Sequence, residues 1–239
     1  MTPILLVTRP LPEAERFVRT VMARLARPPQ VILSPLFDIV ALGVETPPEV
    51  AGLVLTSARG AEAAGRIGLP RGLPAWCVGA QTAAAAEAAG LVALPGGGDA
   101  EALVSRVLAA RPRGPLLHLR GAHARGDVAA RLTAGGVETM ERVVYDQRAR
   151  ALSEDALAAL QGAAPVIAPV FSPRSAALLA EAGPARAPLA VAAISSAAAE
   201  ASAPLGAARI TIADRPDGAA MAALTCRLLE ETPQTHPSA

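Results

Sequence analysis

The chain has 239 residues, 52% of them hydrophobic, and a formal net charge of +1. This length can fill two hydrophobic cores of about 120 residues each, and no apolar run approaches the about 20 residues that a membrane helix needs. The near-neutral charge and an aromatic content of 2% argue against a nucleic-acid-binding surface, which needs a basic face and often aromatic stacking platforms. The composition therefore predicts a soluble two-domain protein.

Short apolar runs that end in Gly, Ser, Thr or Pro alternate with Ala-rich helical stretches, which is typical of parallel sheets. The predicted strands are, in chain order, 4–7, 31–42, 53–55, 75–78, 92–94, 116–119, 137–148, 166–171, 189–194 and 209–212. The predicted helices are 13–26, 59–65, 82–89, 99–109, 127–134, 153–161 and 218–230, and residues 234–239 are predicted to be a disordered tail. The pattern predicts an α/β fold with about five strands in each half, wound as in flavodoxin, and ligands at the carboxyl ends of the strands.

The two halves of the chain resemble each other. Residues 53–61 match 169–176, which places Arg59 on Arg174 at an offset of 174 − 59 = 115. Val78 falls on Ile194 at an offset of 194 − 78 = 116, so the register is nearly unchanged. Residues 5–10 match 117–121, a segment that comes last in its own half instead of first. The halves are therefore circularly related, with one inserted into the other.

An insertion of this kind requires the chain to cross the domain boundary twice. We expect a discontinuous domain at 1–36 and 149–239, an inserted domain at 43–140, and linker strands at 37–42 and 141–148. The two linker strands are expected to pair as a ribbon. Such a hinge would let two lobes close on a ligand.

Hydroxyl side chains and glycines follow the predicted strands at the points where helices begin. Helix capping explains each of them singly. As a set they also offer hydroxyls and free backbone N–H groups to anionic oxygens, and arginines in the same turns can bind carboxylates with two hydrogen bonds. The candidate binding residues are Arg9, Thr56, Ser57, Arg59, Gly79, Arg120, Ser172, Arg174, Ser175, Ser195 and Ser196, with Thr8 and Thr82 in equivalent turns.

Several other motifs favour structural roles. Gly96, Gly97 and Gly98 lack the spacing of a dinucleotide fingerprint and indicate a turn in which Asp99 caps the next helix. His118 lies inside an apolar strand, which favours a partly buried histidine with its hydrogen bonds satisfied. No grouping of His, Cys and carboxylate residues has the spacing of a metal site.

The residue types that are present or absent limit the chemistry further. All 22 basic residues are arginine, which excludes Schiff bases, pyridoxal phosphate attachment and the lysine-dependent phosphate loop. Cys77 and Cys226 are far apart, and the amino terminus lacks a secretory signal, so we expect reduced thiols and a cytoplasmic location. Tyr145 is the only tyrosine and lies in a predicted linker strand. Such a residue can simply cover the hinge as a linker aromatic. Alternatively, since a phenol is protonated at neutral pH, it can donate a proton to a leaving hydroxyl.

Along nearly its whole length the chain resembles the uroporphyrinogen-III synthase family. The resemblance rests on six short motifs at 7–10, 55–59, 78–83, 118–121, 143–145 and 171–176, in the order and spacing of the family. It implies two flavodoxin-like domains, one inserted in the other. The implied substrate is hydroxymethylbilane, a linear tetrapyrrole with eight carboxylates, which is cyclised with inversion of its last pyrrole ring.

The resemblance also assigns residues and partners. Tyr145 matches the tyrosine that the family offers as the acid, and Thr82 matches a family threonine in the inserted domain. The chain departs from the family at Ala198, where relatives often carry a second threonine. No cofactor is expected. The implied state is a monomer that receives substrate from hydroxymethylbilane synthase, without nucleic acid or membrane as partner.

Two other classes of function are compatible with a two-lobed scaffold. One is a hinge-closing binding protein that captures a small acidic ligand without transforming it. The other is a flavin-binding electron carrier, which residues 8–12 disfavour because they lack a hydroxyl-rich phosphate loop. Turnover of substrate would exclude the binding protein. A colourless purified protein would exclude the flavin-binding electron carrier.

Overall fold

A computed structural model describes residues 1–43, 45, 49–123 and 126–232, so the tail predicted at 234–239 lies outside the described residues. The chain forms two compact units. The first contains Met1–Asp38 and resumes at Ala149, and the second is Ile39–Arg148. No helix in the described part of the chain is long and apolar enough to cross a membrane.

Strands and helices alternate through most of the described residues. The strands are β1 (Ile4–Val7), β2 (Gln30–Leu33), β3 (Phe37–Ala41), β4 (Gly52–Leu55), β5 (Pro74–Cys77), β6 (Val92–Pro95), β7 (Leu116–Gly121), β8 (Thr139–Ala149), β9 (Val166–Val170), β10 (Leu189–Ala193) and β11 (Arg209–Ile212). The helices are α1 (Leu11–Met22), α2 (Ala58–Ala64), α3 (Ala80–Ala88), α4 (Ala100–Ala110), α5 (Val128–Ala134), α6 (Glu154–Gln161), α7 (Pro173–Ala180), α8 (Ser196–Ala201) and α9 (Gly218–Glu231), with a short 3₁₀ helix at Ala203–Leu205.

Local sequence explains where many of these helices begin. Six of them start after a Ser or Asp whose side chain accepts a hydrogen bond from the backbone N–H three residues ahead, which satisfies a donor that the helix leaves unpaired. These capping residues are Ser57, Asp99, Ser153, Ser172, Ser195 and Asp217. The predicted turn before Asp99 is confirmed, with its carboxylate 2.8 Å from the Ala102 nitrogen.

The first unit is built on a five-stranded sheet in the order β2-β1-β9-β10-β11. All of its neighbouring strands are parallel. Numbered within the unit, this order is 2-1-3-4-5, the flavodoxin-like winding. Two cores cover the two faces of the sheet, one around Leu6 and Val191 and the other around Leu5 and Phe17.

The second unit is built on a six-stranded sheet in the order β3-β8-β7-β4-β5-β6. If its strands are counted as 1 (β7), 2 (β8), 3 (β4), 4 (β5) and 5 (β6), their order in the sheet is again 2-1-3-4-5, with β3 added beside β8. In this numbering β7 corresponds to β1 of the first unit and β4 corresponds to β9. This is the circular relation predicted from the repeat. Leu53 and Leu119 lie in the core on one face of this sheet, and Val54 and Leu116 in the core on the other. The predicted α/β fold with parallel sheets is confirmed.

The structure differs from the sequence prediction around the linker. The strand predicted at 31–42 is two strands, because the chain leaves the first sheet between β2 and β3. Leu36 donates its N–H to the Thr8 carbonyl, and Pro35 has no N–H for a sheet ladder. The expected ribbon partners β3 and β8 are neighbours, but β8 also pairs in parallel with β7. The ribbon is thus part of the second sheet. Helix α1 ends at Met22, four residues before its predicted end.

Candidate functional site

Tyr145 lies on β8 close to the end of β4 in the second unit. Its hydroxyl is 3.3 Å from the Oγ of Ser57, the residue that caps α2. Ser57 Oγ also accepts the Gly60 N–H at 3.1 Å. When Ser57 donates its own proton to Tyr145, the phenol proton remains available to a substrate. The arrangement therefore joins a possible acid to the amino end of a helix.

Two glycines permit this close packing. A Cβ on Gly121 would lie 2.6 Å from Cζ and 2.8 Å from the hydroxyl oxygen of Tyr145. A Cβ on Gly60 would lie 2.6 Å from the carbonyl oxygen of Leu119. The end of β7 and the first turn of α2 therefore approach too closely for larger residues. Both glycines help to place the Tyr145 ring and Ser57 side by side.

A second pair of polar side chains joins the same strands. His118, on β7, is 2% exposed, and its Nε2 lies 3.1 Å from the Oγ1 of Thr56. Burial lowers the pKa of His118 to about 4, an effect that Glu141 opposes and Arg120 reinforces. The imidazole is therefore neutral at neutral pH. Its Nδ1 is buried without a hydrogen-bond partner among the described residues, so the predicted satisfied histidine is only half satisfied.

Arg120 belongs to an ion pair. Its Nη2 lies 2.6 Å from Glu141 Oε1, and its Nη1 donates to the Gly121 carbonyl at 3.1 Å. The hydrogen bond to Glu141 raises the pKa of Arg120 and lowers that of Glu141. The guanidinium is thus already engaged with one carboxylate.

The neighbouring turns of the second unit provide backbone groups. Gly79 precedes α3 with extended backbone, and a Cβ there would meet open space. Thr82 is 4% exposed in the first turn of α3, so little of its surface is open to a ligand. Cys77 is also buried, and desolvation raises the pKa of its thiol to about 11. The thiol is therefore protonated at neutral pH, which makes it a poor nucleophile.

In the first unit, serines occupy the corresponding turns. Ser172 caps α7, and its Oγ lies 2.9 Å from Ser175 Oγ. Ser175 donates to the Ser172 carbonyl at 3.0 Å and is largely buried. Ser195 caps α8, whereas Ser196 is exposed in the first position of that helix. These hydroxyls lie at the carboxyl ends of β9 and β10, where ligands bind in sheets of this winding.

Two arginines of the first unit lie over aromatic rings. Cζ of Arg9 is 4.0 Å from the ring centroid of Phe171, which packs edge-on against Phe17 at 5.0 Å. Cζ of Arg174 is 4.7 Å from the ring centroid of Phe37. A cation over a ring face is held in place by its attraction to the ring. Nothing in the local sequence pattern links these arginines to their aromatic partners.

The structure brings together some of the predicted site residues. Tyr145 and Ser57 are in contact, and Ser172 lies beside Ser175. The other predicted residues lie at the ends of strands or in the first turns of helices in their own unit. The contact between His118 and Thr56 was not predicted from the sequence. Its signal was a lone polar residue in an otherwise apolar strand. Among the described residues, no group of three or more His, Cys, Asp or Glu residues could hold a metal ion.

The fold and these groups define a class of protein. Each unit is a flavodoxin-like parallel sheet that gathers hydroxyls, helix N-termini and arginines at the carboxyl ends of its strands. Such an edge suits an anionic small molecule.

Comparisons with known proteins identify the family within this class. The family model described as uroporphyrinogen-III synthase HemD matches residues 26–223, and the chain belongs to that family of porphyrin biosynthesis. Comparison with curated protein sequences yields no match. A uroporphyrinogen-III synthetase structure from Helicobacter pylori is similar at a TM-score of 0.64 and 16% identity, over 95% of this chain and 100% of that chain. A mutant uroporphyrinogen III synthase from the extremely thermophilic bacterium Thermus thermophilus matches at a TM-score of 0.47 and 16% identity, over 95% and 100%.

Proposed function

We propose that the protein is a lyase that cyclises hydroxymethylbilane to uroporphyrinogen III, with inversion of ring D and loss of one water. Membership of the uroporphyrinogen-III synthase family supports the reaction. The contact between the Tyr145 hydroxyl and Ser57 carries the assignment of the acid. We expect no cofactor, because the proposed reaction is an internal rearrangement with loss of water and no net oxidation or reduction.

Tyr145 acts as the general acid in this proposal. It gives its proton to the leaving hydroxyl, which departs as water and leaves an azafulvene. Ser57 stabilises the phenolate by donating its own hydrogen bond, while the Gly60 N–H remains bound to Ser57 Oγ. The bridge-bearing α-carbon of the last pyrrole ring attacks this azafulvene and forms a spiro intermediate. The bond from that carbon to its original methylene bridge then breaks, which gives a second azafulvene, and the free α-carbon of the inverted ring attacks it to close the macrocycle. The proton released when the inverted ring closes returns to the phenolate, so that the protons balance.

Substrate carboxylates bind at the carboxyl ends of the strands in both units. Free substrate closes unaided to the wrong isomer, so the enzyme acts mainly by holding it in one fold. The proposed contacts are Arg9, Thr56, Ser57, Arg59, Gly79, Arg120, Ser172, Arg174, Ser175, Ser195 and Ser196. Arg9 and Arg174 are favoured among the cations because aromatic rings fix their guanidinium groups. Arg120 contributes less if it keeps its bond to Glu141.

Thr82 is the second residue that we propose to act on substrate, on the strength of its match to the family threonine. Its 4% exposure limits it to a small contact through the first turn of α3. A cytoplasmic monomer that accepts substrate from hydroxymethylbilane synthase stays a prediction.

The test is the isomer of the product. Hydroxymethylbilane is made fresh by its synthase, the reaction is stopped by oxidation, and uroporphyrins I and III are separated by chromatography. We expect isomer III to predominate only when the protein is present. Isomer I alone, from folded protein, would reject the activity and favour the binding-protein alternative.

Carboxylate binding is tested with two matched arginine variants. Arg9→Gln removes the cation that lies over Phe171, and we expect a rise in KM. Arg209→Gln is the control, since Arg209 starts β11 and bonds to Glu231 away from the carboxyl ends of the strands. An equal rise in KM in both variants would indicate a general effect of charge and reject Arg9 as a contact.

A further inference from the structure

His118 is a buried polar side chain with one hydrogen-bond partner. Its Nε2 is 3.1 Å from Thr56 Oγ1, and its Nδ1 has no partner among the described residues. The charged groups that act on the pKa of His118 are Glu141 and Arg120, which form an ion pair with each other. No aspartate or glutamate among the described residues accepts a hydrogen bond from the imidazole.

The unpaired Nδ1 indicates which ring nitrogen carries the proton. A neutral imidazole has one N–H and one bare nitrogen. If the proton were on Nδ1, a buried N–H donor would be left without an acceptor, which native structures rarely tolerate. With the proton on Nε2, the N–H is donated to Thr56, and the bare nitrogen is the less costly unpaired group. The contacts therefore favour the Nε2–H form.

This tautomer fixes the role of the Thr56 hydroxyl. Thr56 Oγ1 accepts from His118, so the hydroxyl proton must point to another acceptor. Thr56 directly follows β4 and is half-buried, next to Ser57 and at the ligand-binding end of the sheet. Its proton is therefore directed to a group that lies at that end.

We propose that His118 is a positioning residue that orients the Thr56 hydroxyl as a hydrogen-bond donor to a carboxylate of the bound substrate. The proposal rests on the proposed function for the identity of the ligand. It assigns to the second unit a hydrogen-bonded pair that the first unit lacks. By the strand registers and the offset of 115, Val7 and Phe171 occupy the positions in the first unit that match His118 and Thr56. His118 does not touch the substrate and transfers no proton.

The tautomer is measured first, because it needs no activity. In ¹⁵N-histidine-labelled wild-type protein, imidazole nitrogen shifts distinguish Nε2–H, Nδ1–H and imidazolium forms. His118→Gln assigns the signal among the three histidines. We expect Nε2–H at pH 7. An Nδ1–H or imidazolium signal would overturn the proposal whatever the enzyme does.

Kinetics then tests the coupling between the two residues. We expect His118→Leu to raise KM about tenfold with a smaller change in kcat, since the Thr56 hydroxyl is then no longer oriented towards the charged carboxylate. Thr56→Val should raise KM by a similar factor. The double variant should be no worse than Thr56→Val, because His118 acts only through that hydroxyl. Multiplying effects, or an unchanged KM in folded His118→Leu, would overturn the proposal.

Two further variants separate positioning from packing. The side-chain amide of His118→Gln can donate from nearly the same place as Nε2, so this variant should recover KM and also serves if His118→Leu does not fold. Thr225→Val is the control, as it removes a buried hydroxyl bound to Met221 on α9 and should leave KM unchanged. Absence of isomer III with the wild-type protein would reject the proposed function, while the nitrogen shifts would still decide the tautomer.

Discussion

The two units share one winding but differ in what their turns carry. Ser57 in the second unit and Ser172 in the first are related by an offset of 172 − 57 = 115, and both cap a helix. Near these caps, the second unit has the Tyr145–Ser57 and His118–Thr56 contacts, whereas the first has arginines over Phe171 and Phe37. The shared backbone therefore supplies helix N-termini to both units. In the proposed function, these differing side chains donate a proton in the second unit and bind substrate carboxylates in the first.

The largest expected effect comes from removing the phenol that only the second unit has. We expect Tyr145→Phe to lower turnover about 100-fold, the lower end of the usual contribution of a general acid. Thermal stability should change little, because the ring still packs against Gly121. The measurement is kcat together with a melting curve. Full turnover in folded Tyr145→Phe protein would remove Tyr145 from the mechanism.

The next effect is on the pH dependence of stability. His118 has a pKa of about 4 in the folded chain against 6.5 ordinarily, so below pH 6.5 the unfolded chain takes up the proton first. The stability that His118 gives is complete above pH 6.5 and is lost as pH falls towards 4. Below pH 4 the total loss in the free energy of unfolding reaches about 3 kcal/mol.

Urea unfolding at pH 7, 5.5 and 4.5 measures this loss. His118→Gln is the matched variant, because it lacks the titrating group but keeps the other acidic and basic residues. We expect the wild type to lose more stability than His118→Gln on going to low pH. Equal slopes for the two proteins would show that His118 is not buried in its neutral form.

A smaller effect on stability is expected at a position where the two units differ in the room available for a side chain. Gly60 corresponds to Ser175 at 175 − 60 = 115, but in the second unit a Cβ would meet the Leu119 carbonyl at 2.6 Å. We expect Gly60→Ala to lower the free energy of unfolding by about 2 kcal/mol. Gly218→Ala, at a position with open space, should cause almost no loss. Similar values for the two variants would contradict the close approach of α2 to β7.

The smallest effect on stability is expected from replacing a helix N-cap of the second unit with the residue type at the equivalent N-cap of the first. Gly79 corresponds to Ser195 at 195 − 79 = 116, and Ser195 accepts the Ala198 N–H at 3.3 Å. Gly79 has extended backbone with open space around a Cβ. We expect Gly79→Ser to raise the free energy of unfolding by a few tenths of a kcal/mol, measured by urea unfolding. A loss of stability would show that the two turns differ in backbone.

Local patterns in the sequence predicted much of the fold. Alternating apolar runs and Ala-rich segments located most strands and helices. The offsets of 115 and 116 indicated the repeat, and the match of residues 5–10 to 117–121 predicted the circular relation that the strand orders confirm. Helix caps such as Asp99 were also predictable, because a cap depends on residues within one turn. The division of the strand predicted at 31–42 at Ser34 and Pro35 was missed. The apolar run continues on both sides of these residues, and the two strands are distinguished only by belonging to different sheets.

The sequence by itself determined the α/β fold, the repeated winding and the residue types at the strand ends, because these follow from short-range periodicity and from similarity along the chain. Only the tertiary structure decided which side chains meet. Thr56 and His118 are 62 residues apart, and Ser57 and Tyr145 are 88 apart. Their contacts depend on β4, β7 and β8 being adjacent in the sheet and on the register of those strands. That adjacency arises when the cores pack, and no local pattern encodes it.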